Sequence, residues 1–132
     1  MPVLTFTGAT DAPVEEVWKL LFDPARYPQW WAGVETVRLD GPGSYTQWLC
    51  GRPGLPMPQQ MSTDRTSGRV TISCQVNDVA FTWQLAERGA GTVIEVRVLL
   101  AEHEAHREPM LTEMITASLP ALAALAESGA GA

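Results

Sequence analysis

Few side chains in this 132-residue sequence are equipped for chemistry, and they are scattered. The only two histidines, His103 and His106, stand three apart in AEHEAHRE, beside Glu102 and Glu104. Imidazole and carboxylate groups at that spacing could suit a metal. The density of charge reads more simply as a solvated linker, so no metal site is expected. Nucleophilic and phosphate chemistry find no frame, because there is no GxSxG, HExxH, GxGxxG or phosphate-binding glycine loop. Cys50 and Cys74 lack a CxxC or CxxH neighbourhood. They read as buried free thiols rather than as a disulfide or a zinc site. No cofactor is indicated.

The remaining polar candidates lie on apparent strands. In the stretch 57–65, an inward Met61 puts Gln59, Thr63 and Arg65 on the same face by alternation. An inward Arg65 would anchor a carboxylate or phenolate on an otherwise apolar ligand; at a strand end it would instead point to water. In the stretch 44–50 the parity is open: either Tyr45, Gln47 and Leu49 face inward, or Thr46, Trp48 and Cys50 do. Phe81 and Trp83 share a face and could wall a pocket or stack on a planar ring. Two adjacent tryptophans, Trp30 and Trp31, are not expected to enter one core together, and Trp31 is read as the residue at a pocket mouth.

These groups have to be positioned by the elements around them. The run EPMLTEMITASLPALAALAE, residues 108–127, carries Leu111, Met114, Ile115, Ser118, Leu122 and Leu125 at helical spacing. A helix this apolar must lie on a surface of matching size. Pro109 fits its first turn, and Gly129 is read as its stop, with a frayed tail from Ser128. Pro120 should bend it, at a cost of about 3 kcal/mol. Upstream, Val14, Val17, Trp18 and Leu21 form an amphipathic stripe, and Asp23-Pro24 caps a second short helix. A first strand runs from Val3 to Thr7 and ends at Gly8. From residue 34 to 101, about six short runs are separated by Gly, Pro, Asn and Asp turns, as in an antiparallel meander. Ile94, Val96, Val98 and Leu100 alternate with polar residues, so one sheet face is dry and one wet. The order predicts an α+β domain spanning residues 1–132: a curved antiparallel sheet of about seven strands around a long C-terminal helix, with two short helices after the first strand.

Composition sets limits. Nine basic against fifteen acidic residues give a net charge of −6. That balance argues against a nucleic-acid or anionic-membrane partner. No leader pattern and no bilayer-length apolar segment is read, so a soluble cytoplasmic protein is expected, as monomer or homodimer.

Residues 12–34, APVEEVWKLLFDPARYPQWWAGV, with Pro13, Val17-Trp18, Asp23-Pro24, Tyr27 and Trp30-Trp31, resemble the SRPBCC superfamily. The stretch FTWQLAERGAGTVIEV, residues 81–96, matches its last hairpin. The superfamily includes START-related lipid-transfer domains, polyketide cyclases/aromatases, pollen-allergen-like proteins and chaperone-activator-like proteins. The resemblance implies a helix-grip fold that holds an apolar ligand between sheet and helix. The expected function is binding of a hydrophobic small molecule: a lipid, a polyketide or an aromatic. The candidate ligand-binding set is Trp31, Tyr45, Gln59, Met61, Arg65, Phe81, Trp83, Met114, Ser118 and Leu122. A polyketide cyclase/aromatase-type enzyme is one alternative, and a chaperone-activator-like interaction domain is another. Cavity size and lining separate the three.

Overall fold

A computed structural model describes residues 3–130. Seven strands form one antiparallel sheet: β1 (Val3–Thr10), β2 (Val34–Gly41), β3 (Ser44–Leu49), β4 (Met57–Asp64), β5 (Arg69–Cys74), β6 (Val79–Arg88) and β7 (Gly91–Leu100). Their spatial order is β1-β7-β6-β5-β4-β3-β2, a meander whose first strand returns to pair with the last. Helix α1 (Val14–Leu21) and a 3₁₀ helix (Pro24–Gln29) follow β1. A second 3₁₀ helix (Glu102–Arg107) leads into α2 (Glu108–Ala130). The sheet is curved and α2 lies against it, which is the helix-grip arrangement expected from the order of elements.

The local chemistry explains these elements. Asp23 Oδ1 accepts from the Ala25 amide at 3.1 Å and starts the first 3₁₀ helix, with Pro24 in its first turn. Alternation in β6 and β7 buries Phe81, Trp83, Leu85, Ile94, Val96, Val98 and Leu100 on one face. Helix α2 meets that face with Leu111, Ile115, Ser118, Leu119, Leu122 and Ala126. Met114 and Leu125, expected in the same stripe, are only half-buried at its margins.

Several boundaries differ from expectation. Strand β1 continues through Gly8, which pairs with Ile94, and a side chain at Gly8 would press on Leu119 at 3.3 Å. The glycine thus lets helix and strand approach closely and does not end the strand. Helix α2 runs through Pro120 and past Gly129 to Ala130. The expected frayed tail is therefore helical over 128–130, and 131–132 lie outside the described residues. By length and composition Glu102–Gly129 is apolar enough to cross a membrane. Here its buried stripe is spent on the sheet, as in the core helix of a globular fold.

Candidate functional site

Between α2 and the sheet lies a small, partly open cavity of about 50 Å³. Its walls are Trp31, Phe81 and Val79 on one side, Gln47, Leu49, Met57, Gln59 and Cys74 from β3 to β5, and Leu111 and Met114 from α2. It opens toward a groove of about 500 Å³ bounded by Leu49, Leu55, Met57, Val76, Met110 and Met114. Asn77 and Arg107 border both spaces. The two together make a funnel: a roomy, mostly apolar mouth, a neck flanked by Met57, Met110 and Met114, and a narrow interior. Methionine side chains are flexible and polarizable, so this neck can adapt to what passes. A larger depression of about 800 Å³ lies over Ala105, His106, Pro109 and Thr116 on the outer side of α2. It is shallow and away from the sheet, which makes it a poor enclosure for an apolar molecule.

The parity of β3 is settled by its pairing. Tyr45 stands opposite Gln59 and Gln47 opposite Met57, so Tyr45, Gln47 and Leu49 face inward. Thr46 is buried on the other face, where it donates to Asp40 Oδ2 at 2.6 Å. Trp48 lies on that face too, under the Arg38 guanidinium at 5.5 Å.

Both tryptophans of the pair are buried, contrary to expectation, with Trp30 at 2% and Trp31 at 3% exposure. The turn that follows the 3₁₀ helix does not impose the alternation of a strand, so adjacent rings can face the same way. Their ring centres lie 5.4 Å apart at 24°. Trp30 Nε1 donates to Leu20 O at 3.0 Å, and Tyr27 Oη donates to Leu21 O at 2.6 Å. Trp31 sits edge-on to Phe81 and Trp83 at 5.2 Å and walls the inner cavity, not its mouth. It is fixed by its neighbour: Ser118 Oγ accepts from the Ala32 amide at 2.8 Å and donates to Met114 O at 2.7 Å. Gly33 follows with φ +91°, and any Cβ there would meet Met114 Cε at 3.2 Å. Glycine therefore serves both the turn and the passage of Met114 into the neck.

Of the two placements open to Arg65 in the sequence, the structure has the one at the strand end, facing water, and not the inward anchor. It lies just beyond β4, pairs with Glu15 and rests 5.8 Å from the centre of the Trp18 ring, with its side chain 58% exposed. The strand stops at Asp64, so alternation cannot be carried forward to Arg65. Met61 does face inward, opposite buried Ile72, but it borders a separate depression with Phe22, Pro24 and Leu39. Trp83, Ser118 and Leu122 are core residues behind the funnel, and Tyr45 packs on Tyr27 at 5.8 Å. Of the candidate set, Trp31, Gln59, Phe81 and Met114 line the cavity.

The charged rim comes from the stretch read as a solvated linker. Glu104 is only 6% exposed. It accepts from the Asp78 amide at 3.0 Å and from Arg107 Nε at 3.1 Å, while Arg107 Nη2 donates to Asn77 Oδ1 at 3.1 Å. Burial opposes the charge on Glu104, yet the Arg107 and Asp78 hydrogen bonds and the Arg107 and His103 charges outweigh it, and its carboxyl lies below the ordinary value. This clasp ties the start of α2 to the turn between β5 and β6. His103 is held by Asp78 at 2.9 Å. Among the described residues no group of three or more His, Cys, Asp or Glu is placed to hold a metal. Cys50 is exposed at the groove rather than buried, and Cys74 is half-buried and accepts from Gln59 Nε2 at 3.3 Å. Tyr45 has its pKa pushed upward by burial and by Cys74, so it stays protonated across the physiological range.

This constellation, an apolar funnel under a helix gripped by a sheet, belongs to the START-like class of ligand-holding folds. Residues 1–127 match the family described as polyketide cyclase / dehydrase and lipid transport, and the chain belongs to that family. No curated protein sequence matches it. Among solved structures it is similar to the di-domain ARO/CYC BexL from the BE-7585A biosynthetic pathway, with TM-score 0.82 and 17% identity. That alignment covers 96% of this chain and 47% of BexL, so the chain spans about half of that protein. Protein NE0264 from Nitrosomonas europaea aligns with TM-score 0.81 and 15% identity over 98% of this chain and 97% of that one. The Zhui aromatase/cyclase from Streptomyces sp. R1128 aligns with TM-score 0.75 and 16% identity over 96% and 93%. At these identities the likeness establishes the fold.

Proposed function

We propose that residues 1–132 act as a single domain that binds a neutral hydrophobic small molecule in the funnel between α2 and the sheet. The observation that carries this reading is the 500 Å³ groove continuing into the apolar interior through the methionine-lined neck. A volume of that order matches drug-sized ligands, whose pockets span about 300–1,000 Å³. Arg107, the charged side chain at the junction, already faces Glu104, and the rest of the groove carries one charge of each sign, Arg52 and Glu113. An anion would therefore gain little there and would lose its hydration. The ligand enters body first, and Met57, Met110 and Met114 shift to widen the interior.

An aromatase/cyclase reaction is the second reading, favoured by the family and by the names of two structural neighbours. It needs an acid or base in reach of the ligand. The titratable groups lining the inner cavity are Cys74 and Arg107, and Arg107 is committed to Glu104 and Asn77. Binding without chemistry is the simpler fit.

Native mass spectrometry of freshly purified protein, followed by titration with neutral aromatics, fatty acids and aromatic acids under tryptophan fluorescence, tests the reading. Saturable binding with neutral aromatics ahead of the acids supports it. Absence of saturable binding across the panel overturns it in favour of an interaction domain.

A further inference from the structure

The aromatic cluster around the cavity treats its polar atoms unequally. Tyr27 and Trp30 each reach a backbone carbonyl of α1. Trp31 Nε1, Trp83 Nε1 and Tyr45 Oη are also buried, yet among the described residues they have no hydrogen-bond partner. A buried donor without an acceptor forfeits its hydration with nothing in return. Of the three, Trp31 lines the cavity, and its residue is 3% exposed. Gln59 Nε2 is committed to Met57 O and Cys74 Sγ, and Arg107 Nε and Nη2 to Glu104 and Asn77, while the amides of Gln47 and Asn77, which also line the cavity, are only half-buried and keep access to water. An indole N–H can donate and cannot accept. It thus selects an acceptor.

We propose that the Trp31 indole N–H recognises the buried end of the ligand, and that this end is a carbonyl-type oxygen on an otherwise apolar, planar body. The inference rests on the binding reading above and refines it to a ligand class: ketones, esters or quinone-like carbonyls in place of plain hydrocarbons. The acceptor is neutral, since a carboxylate carried that deep would be stripped of water, and Arg107, the cation that borders the cavity, is already held by Glu104 and Asn77. Phe81, edge-on to Trp31 at 5.2 Å, lines the same cavity and offers an aromatic ring to the planar body.

The test compares acetylnaphthalene with ethylnaphthalene, near-isosteric molecules that differ by the carbonyl oxygen, by calorimetric titration of the wild-type chain and Trp31→Phe. The wild type should favour the ketone by about fivefold to tenfold, the worth of one net hydrogen bond. In Trp31→Phe the preference should vanish or invert, because the carbonyl is then desolvated without a partner, while the hydrocarbon binds nearly as before. A second measurement needs no variant. The Trp31 indole ¹H–¹⁵N resonance, assigned through its own ring connectivities, should move downfield with the ketone and hardly at all with the hydrocarbon. Equal affinity of the wild type for both probes, with an unmoved indole resonance, overturns this inference and leaves hydrophobic binding standing. So does a ketone preference that survives Trp31→Phe, which would mean that another donor in the cavity takes the carbonyl. If neither probe nor any other member of the panel binds, the binding reading itself falls and takes this inference with it.

Discussion

Ser118→Ala probes how α2 sets the position of Trp31. The hydroxyl accepts from the Ala32 amide at 2.8 Å and donates to Met114 O at 2.7 Å, and the residue has no exposed surface. Removing it strands the Ala32 N–H beside the core. An unpaired buried donor costs about 1–3 kcal/mol. Ala32 itself is half-buried, so water reaches it in part and the lower half of that range applies. Alanine returns about 0.5 kcal/mol as the better helix former. The net expected loss is about 1 kcal/mol, equivalent to a fall in Tm of about 3–5 °C for a chain of this size. Urea unfolding followed by tryptophan fluorescence measures it, and hydrogen exchange at the Ala32 amide should quicken selectively. Unchanged or increased stability, with unchanged protection at Ala32, would refute the claim that Ser118 ties the Trp30–Trp31 segment to α2.

Three more outcomes are expected. Leu122→Ala, at a fully buried site between helix and sheet, should cost about 2–5 kcal/mol in urea unfolding; a loss well under 1 kcal/mol would mean that α2 is not seated as described. Arg65→Met should leave affinity for neutral and acidic ligands alike unchanged in the fluorescence titration, because the group pairs with Glu15 on the surface; a selective loss of acidic ligands would return Arg65 to the pocket. Glu104 has a lowered pKa in the folded chain, so between its folded and unfolded values the unfolded state binds more protons and stability rises with pH. Its contribution is complete above the unfolded value of about 4.3 and fades as pH falls through the lower folded value; Glu104→Gln should flatten that acid limb in denaturation curves taken below neutral pH, and an unaltered limb would contradict the clasp.

The parts of the structure that were legible beforehand are those governed by a local period. The alternation of Phe81, Trp83 and Leu85 against Thr82 and Gln84 located a half-buried strand, and the spacing of Leu111, Ile115, Ser118 and Leu122 located the gripping helix. Alternation failed where the period stopped. The inward alternative for Arg65 requires β4 to run one residue beyond its end at Asp64, and the turn that carries Trp30 and Trp31 after the 3₁₀ helix does not send adjacent side chains to opposite sides. The polar rim was hidden for a different reason. Asn77 and Arg107 meet across 30 residues of chain, from a turn and a 3₁₀ helix whose orientations no periodicity encodes. Met57, Met110, Leu55 and Val76 come to the groove from a strand, a helix and two loops in the same way. Glu104 lies in a run whose charge suggested solvent; only the fold brings the Asp78 amide and Arg107 to its carboxylate.

The central claim, that an apolar molecule enters between α2 and the sheet through the methionine neck, is tested most directly by methyl NMR on ¹³C-methionine-labelled protein titrated with ethylnaphthalene. Met57, Met110 and Met114 border the funnel, while Met61 borders a separate depression and serves as an internal control. Saturable shifts of the three neck methyls with Met61 unmoved are the predicted result; shifts confined to Met61, or no saturable shift at any methionine, would contradict it.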